Sequence, residues 1–200
     1  MTIKNRKVIF SSLMILIITV LISGCFGGNP TDEVNEDILW DNYSNDYVEF
    51  KYPDEWKKAN EKILDVNDNG TDDRMFVKWV DNIDEFKTMV RLELLLTEEE
   101  MEDIPNLDTK EDFYNYVENE INEMPPESNI VKQEKITVDN NPTYRIVVTD
   151  TDSYDEEVKS DYLIIFKNNL IQRFQYSTKG KDEYNSNLWK EIYESLELKF

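Results

Sequence analysis

The sequence predicts an α+β fold in which an antiparallel sheet has helices packed on both of its faces. The order of the predicted elements supports this class, because a group of strands is followed by a helix, a run of hairpin strands and a last helix. Residues 162–166 are apolar without alternation, so both faces of that strand are expected to be covered. Hydrophobic residues make up 40% of the chain, which is enough to build a sizeable core.

Period-two alternation of apolar and charged residues predicts the first strand. Glu49 and Lys51 separate the apolar residues between Val48 and Tyr52, and Pro53 ends the stretch. Three further strands are expected over residues 61–66, 74–80 and 88–96, with an acidic turn containing Asn and Gly between the first two. The first half of the domain is therefore expected to consist of strands.

A capping pattern marks the first helix. Thr109 followed by Asp112 is typical of a helix N-terminus, apolar residues then recur at helical spacing, and Pro125-Pro126 ends the helix. Four strands are expected over residues 129–138, 143–149, 158–167 and 170–177. Asn168-Asn169 joins the last two, because asparagine tolerates the positive φ of a two-residue turn. A second helix over residues 182–196 and a short edge strand over residues 197–200 complete the prediction.

The N-terminus has the pattern of an export signal. Lys4, Arg6 and Lys7 precede an apolar run over residues 8–22, which is shorter than the roughly 20 residues of a membrane-spanning helix. Residues 21–25, Leu-Ile-Ser-Gly-Cys, resemble the lipobox of lipoprotein signal peptides. The resemblance implies a diacylglyceryl group on Cys25 and cleavage before it. The alternative is an uncleaved signal anchor, and either interpretation places the domain outside the cytoplasm.

These patterns divide the chain into three parts. Residues 1–24 are interpreted as the signal peptide, and residues 25–42 as the lipidated Cys25 with a flexible acidic linker that contains Gly27-Gly28. Residues 43–200 form the globular domain. The expected location is the cell membrane, with the domain lipid-anchored and facing away from the cytoplasm.

Composition excludes several classes of function. Lys and Arg number 22 against 43 Asp and Glu, for a net charge of −21, so a nucleic-acid partner is not expected. The chain contains no histidine and one cysteine. An internal disulfide and Ser–His or Cys–His catalysis are therefore impossible, and zinc and iron–sulfur sites lack their usual ligands. Carboxylate, hydroxyl or lysine chemistry and the binding of hard cations remain open.

Six segments of the domain form a distinctive set: Tyr43-Ser44-Asn45, residues 47–56 (Tyr-Val-Glu-Phe-Lys-Tyr-Pro-Asp-Glu-Trp), residues 140–146, the turn at Asn168-Asn169, residues 174–178, and the closing segment 194–198. With this set the domain resembles the PsbP-like proteins, which share the Mog1/PsbP fold, over roughly residues 43–200. The resemblance implies an α/β/α sandwich and says little about function, because one fold supports many functions.

One loop has the spacing of a calcium site. Oxygen ligands at alternate positions with Gly70 at the sharp turn suit a hard cation, but Phe76 stands where a bidentate Glu belongs. An acidic hairpin turn is the alternative interpretation. The candidate ligands are Asp65, Asn67, Asn69 and Asp73. Asn42 and Asn69 also begin glycosylation sequons.

The expected function is that of a non-catalytic, membrane-tethered module that docks an unidentified protein partner or assists an envelope assembly. No cofactor is expected apart from calcium at the loop described above. Two alternatives remain: a calcium-responsive surface adhesion module, and an extracytoplasmic hydrolase that uses carboxylates. No carboxylate pair is singled out by the sequence for such a hydrolase.

Overall fold

The fold follows from a computed structural model of the chain, which describes residues 38–65, 74–83, 87–96, 107–124, 129–151, 155–180 and 184–200. These residues form ten strands and two helices. The strands are β1 (Trp40–Ser44), β2 (Val48–Pro53), β3 (Lys57–Leu64), β4 (Arg74–Val80), β5 (Thr88–Leu95), β6 (Asn129–Val138), β7 (Asn141–Thr151), β8 (Glu157–Lys167), β9 (Leu170–Lys179) and β10 (Glu197–Leu198), and the helices are α1 (Lys110–Asn122) and α2 (Ser186–Glu194).

Seven of the described strands form one antiparallel sheet in the order β3-β4-β5-β9-β8-β7-β6. The predicted antiparallel sheet is thus confirmed. The predicted hairpin between β8 and β9 is confirmed too, with φ of 51° at Asn168 and 62° at Asn169. Asp139 and Asn140, with φ of 48° and 60°, turn the chain between β6 and β7 in the same way.

A second, three-stranded sheet has the order β1-β2-β10, and the sequence did not predict it. The strand expected around Val48 is present as β2, but its neighbours are β1 and the chain end: Leu198 lies opposite Val48 and Tyr43 opposite Phe50. Alternation of apolar and polar residues shows that a strand is half-buried, but it does not show which strand pairs with it, because pairing depends on contacts far apart in sequence. The pairing of β2 with β10 is of this kind.

Two elements begin four residues away from the expected positions. β3 begins at Lys57 rather than residue 61, because Lys57 and Lys58 pair with the end of β4 although their own stretch shows no alternation. α2 begins at Ser186 rather than residue 182, since the Asn185 side chain caps it by accepting a hydrogen bond from the Leu188 amide at 2.9 Å. Residues 182–183 lie outside the described part of the chain.

α1 has the predicted capping box. The Thr109 side chain accepts from the Asp112 amide at 3.2 Å, and the Thr109 amide donates to the Asp112 carboxylate at 3.0 Å. Phe113, Val117 and Ile121 are the buried apolar face that fixes this helix to the sheet. The helix ends at Asn122, and the Pro125-Pro126 stop signal lies outside the described residues.

The core consists of two hydrophobic clusters. Leu163 and Ile165 of β8 belong to the cluster that contains Trp189 of α2 and most of the small sheet's apolar residues. Phe166, on the alternate face of the same strand, belongs to the cluster that contains Phe113 of α1, and the two rings stack at 5.2 Å. Because successive side chains of a strand point to opposite faces, the doubly apolar segment 162–166 contributes to both clusters.

Candidate binding site

The residues singled out in the sequence fall mostly outside the described part of the chain. Cys25, Asn67, Asn69 and Asp73 are among these. Asp65 is described and lies exposed directly after β3. Asn42 is exposed on β1, opposite Lys51. Within the described ranges, no three His, Cys, Asp or Glu residues are grouped so that they could hold a metal ion. The calcium and glycosylation assignments stay predictions.

The described residues reveal a local charge that the composition conceals. Strands β3 to β5 carry six basic residues and two acidic ones, in a chain whose net charge is −21. The basic residues are Lys57, Lys58, Lys62, Arg74, Lys78 and Arg91. Because these three strands are neighbours in the sheet, one edge of the molecule is locally basic, and we call them the basic strands.

Register places many of these cations on one face of the sheet. Phe76 lies opposite both Lys62 and Glu93, and Glu93 lies opposite Arg173 of β9. Directly opposed residues of antiparallel strands share a face, and so do alternate residues of one strand. The resulting surface, which we call the basic face, places Glu93 among cations that include Lys62, Arg74, Lys78, Arg91 and Arg173.

Glu93 lies between three of these arginines and is only 6% exposed. Its carboxylate oxygens are 3.7 Å from a guanidinium nitrogen of Arg74, 3.8 Å from one of Arg91 and 3.7 Å from one of Arg173. These separations allow strong Coulomb attraction but exceed hydrogen-bond length. Glu93 Oε2 is buried and accepts no hydrogen bond from the described residues. A buried carboxylate oxygen in this state calls for a donor.

A cavity of about 90 Å³ lies beside Glu93, between α1 and the sheet. Arg91 and Glu93 of β5, with Arg173 and Gln175 of β9, line its charged side. Its other walls are mainly apolar and come from α1, β7 and β8: Val117, Ile121, Ile146, Val148 and Ile164. At roughly 10–15 Å³ for each water-sized position, the cavity has room for about six to nine such groups. A mainly apolar lining with a few charged groups is typical of a small-molecule site.

Two tyrosines that line the cavity are held in the neutral form. Burial raises the pKa of Tyr162 to about 12. Burial, followed by the charge of Glu120, raises the pKa of Tyr116 to about 12. The two phenols therefore stay neutral at physiological pH, where each can donate or accept a hydrogen bond but neither can act as a base.

On the basic face, burial and the neighbouring Arg91 charge lower the pKa of Lys78.

A second buried polar network lies on the side of the sheet that holds the cluster with Trp189 of α2. Both oxygens of its buried carboxylate, Asp161, accept hydrogen bonds. Asp161 is 0% exposed and receives Arg145 Nε at 3.0 Å and Nη2 at 2.6 Å. The Tyr184 hydroxyl donates to the same carboxylate at 2.5 Å, and Arg145 Nη1 donates to Glu134 at 2.8 Å. The hydrogen bond from Arg145 to Asp161 raises the pKa of the guanidinium. This network offers no nucleophile activated by a base, and we interpret it as structural.

Sequence reasoning missed the cavity and the basic face. The sequence of β5 contains a signal for part of the basic face. Arg91 and Glu93 alternate with the apolar residues Val90, Leu92 and Leu94, so the two charged side chains lie together on the face of the strand away from these apolar ones. The approach of Arg74 and Arg173 to Glu93 depends on strand order and register, which alternation does not reveal.

The chain belongs to the family of PsbP-like proteins, whose sequence pattern it matches over residues 28–194. Two solved structures are similar in fold. Cyanobacterial PsbP (CyanoP) from Synechocystis sp. PCC 6803 has a TM-score of 0.46 at 17% identity, and the match covers 85% of this chain and 98% of that one. A mutant of the protein Mog1 has a TM-score of 0.42 at 12% identity, with 81% and 96% covered. No curated protein matches the chain in sequence. The family match confirms the PsbP-like resemblance that the sequence predicted.

Neither α1 nor α2 is long and apolar enough to cross a membrane, and no other helix occurs in the ranges that the structure describes.

Proposed function

We propose that this protein is a membrane-tethered, extracytoplasmic, non-catalytic module that docks a protein partner along the edge strand β3. The observation that carries the proposal is the charge of the basic strands, six basic residues against two acidic ones in a chain of net charge −21. A partner with an acidic segment is attracted to this edge and repelled by most of the remaining surface, so the charge pattern selects one docking position.

Strand addition is the mode of docking that β3 suits. β3 ends the order of the described seven-stranded sheet, and nearly all of its residues are exposed. An extended segment that pairs with such an edge gains main-chain hydrogen bonds, and its side chains meet those of the edge strand. Ile63 and Leu64, 43% and 41% exposed, lie at the end of β3 and offer apolar contacts.

The lysines of β3 decide which strand can be added. Lysine on an edge strand opposes pairing with a second copy of the same edge, because like charges would then face each other. Glu61, the acid of this strand, is already bonded to Lys58 and to the Tyr43 hydroxyl. A register shift between Lys58 and Asn60 interrupts the first part of the strand, so the regular segment available to a partner is 60–64.

The remaining parts of the proposal rest on the sequence. Lipidation at Cys25 would tether the domain, and the absence of histidine supports a non-catalytic role. By docking its partner, the protein would assist an envelope assembly. The α/β/α layering belongs to the proposal as well, and the division of the core between a cluster with α1 and a cluster with α2 supports it.

Binding of an acidic strand-forming probe tests the proposal. The probe is a short labelled peptide of alternating glutamate and threonine, titrated by fluorescence anisotropy into the full-length protein in a neutral detergent. Charge reversal by Lys57→Glu with Lys62→Glu is expected to weaken binding roughly tenfold or more. The matched control reverses two lysines away from β3, Lys132→Glu on β6 with Lys190→Glu on α2, whose side chains are 49% and 57% exposed. It is expected to leave the affinity unchanged. Equal losses in both variants would show that only net charge matters and would refute docking at β3.

A further inference from the structure

We propose that the cavity beneath α1 is a binding site for an apolar α-amino acid in its zwitterionic form. The inference is separate from docking at β3, because it concerns the buried side of Glu93 and the apolar walls of the cavity. Three features of the cavity correspond to the three parts of such a ligand: an acceptor for the ammonium, donors for the carboxylate and an apolar compartment for the side chain.

Glu93 is the acceptor for the ammonium group. Glu93 lines the cavity, and its Oε2 is buried and accepts no hydrogen bond from the described residues. Leaving a buried carboxylate oxygen without a donor costs free energy, and a ligand ammonium would restore a charge-assisted hydrogen bond. A ligand that carries only an acid would leave this oxygen without a donor.

Arg91 and Arg173 are the donors for the carboxylate. Each places a guanidinium nitrogen within 3.8 Å of Glu93, so positive and negative groups alternate over a short distance. The ammonium and carboxylate of an α-amino acid are attached to one carbon by bonds of about 1.5 Å, which gives them a similarly short separation. Arg91 is held in place by its position over the Phe76 ring, 4.5 Å from the centroid.

The apolar walls select the side chain. On β8 and β7 the cavity is lined by Ile164, Ile146 and Val148, and on α1 by Val117 and Ile121. A volume of about 90 Å³ suits a branched aliphatic or thioether side chain together with the charged head, and it is too small for a long hydrocarbon chain. Glycine would leave these walls without contacts.

The lining charges support a zwitterion rather than a simple anion. Arg91 and Arg173 are balanced within the lining by Glu93 and Glu120. Tyr162 adds a neutral hydroxyl, and Gln175 is oriented by hydrogen bonds from its Nε2 to that hydroxyl at 3.3 Å and to Ser177 Oγ at 2.7 Å. A ligand with no net charge therefore matches the site.

Four probes that differ in one part each test the assignment. The full-length protein in detergent is titrated by calorimetry with L-leucine, N-acetyl-L-leucine, L-leucinamide and glycine, which keep all parts or lack the ammonium, the carboxylate or the side chain. We expect L-leucine to bind at least roughly tenfold more tightly than each of the others, because each loses one charge-assisted contact or the apolar contacts. Equal binding of N-acetyl-L-leucine or of L-leucinamide overturns the proposal, and so does the absence of L-leucine binding.

Two variants connect binding to this cavity. Glu93→Gln keeps the shape and is expected to weaken L-leucine roughly tenfold or more while leaving N-acetyl-L-leucine no weaker than before. Met124→Trp fills the cavity from a half-buried position beyond α1 and is expected to abolish L-leucine binding without lowering the melting temperature of the free protein. If Glu93→Gln does not fold, Met124→Trp decides alone: unchanged L-leucine affinity in that variant would place the ligand elsewhere and overturn the proposal.

Discussion

Arg145 and Asp161 form a bidentate ion pair across strands β7 and β8, with Arg145 Nε 3.0 Å from both carboxylate oxygens and Nη2 2.6 Å from one of them. The carboxylate has no exposed surface and receives a further hydrogen bond from Tyr184. Glu93, by contrast, lies among arginines at 3.7–3.8 Å and lacks a donor at Oε2 within the described residues. A complete polar network rigidifies a core, whereas an incomplete one beside a cavity suits a ligand.

Replacing Asp161→Asn is expected to destabilise the protein strongly. The change leaves Arg145 buried beside a neutral amide, and removal of one partner of a buried pair costs about 3–5 kcal/mol. Glu134 at 2.8 Å still pairs with the guanidinium, so a loss near about 3 kcal/mol is expected in urea unfolding. Lys132→Ala, which removes an exposed partner of Glu134, is the control and should cost less than about 1 kcal/mol. Similar losses in both variants would contradict this account.

Glu61 is expected to make stability depend on acid pH. A hydrogen bond from Lys58, and then one from the Tyr43 hydroxyl at 2.6 Å, lower the pKa of Glu61 in the folded state. A depressed folded pKa contributes stability above the unfolded pKa, and this contribution is lost as the pH falls through the folded value. The wild type should therefore exceed Glu61→Gln in stability at pH 7 and lose that advantage as the pH falls through the lowered folded pKa of Glu61.

Because the Glu61 side chain is 29% exposed, solvent screening limits the expected advantage to at most about 1 kcal/mol. Urea unfolding of both proteins at several pH values measures the difference. Glu197→Gln, an exposed substitution on β10, is the control for the loss of one negative charge. A difference between wild type and Glu61→Gln that stayed constant from neutral to acid pH would show that the hydrogen bonds, and not the ionised carboxylate, account for it.

Local signals explain most of what the sequence predicted correctly. The capping pair Thr109 and Asp112 and the turn at Asn168-Asn169 act within a few residues, so their outcome is independent of the remaining chain. The pairing of Leu198 with Val48 joins the two ends of the domain, and no local pattern specifies it. The site was missed for the same reason, because Glu93 meets Arg74 and Arg173 only through strand register.

Lipid attachment at Cys25 is expected to be detectable directly. The native protein should partition with membranes and carry two acyl chains on this thiol, which suffice for stable anchoring. Cys25→Ser should leave an unlipidated precursor, because serine lacks the thiol that accepts the diacylglyceryl group. Mass spectrometry of the intact protein from membranes checks both statements. A native protein that begins at Met1 and has a free thiol would support the uncleaved signal anchor instead.

Calcium is expected to act on this protein only as an ion that screens charge. Asp65, at the first ligand position of the candidate loop, is exposed directly after β3. Phe76 occupies the position at which a calcium loop has its bidentate Glu, and this phenylalanine is part of β4. A ligand that binds only the folded state raises the melting temperature in proportion to its occupancy. Calcium and magnesium at matched ionic strength should therefore raise the melting temperature equally, since both screen the repulsion of a chain with net charge −21. Asp65→Ala should leave both responses unchanged. A larger calcium response that disappears in Asp65→Ala would instead establish the calcium-responsive module as the better account of this surface.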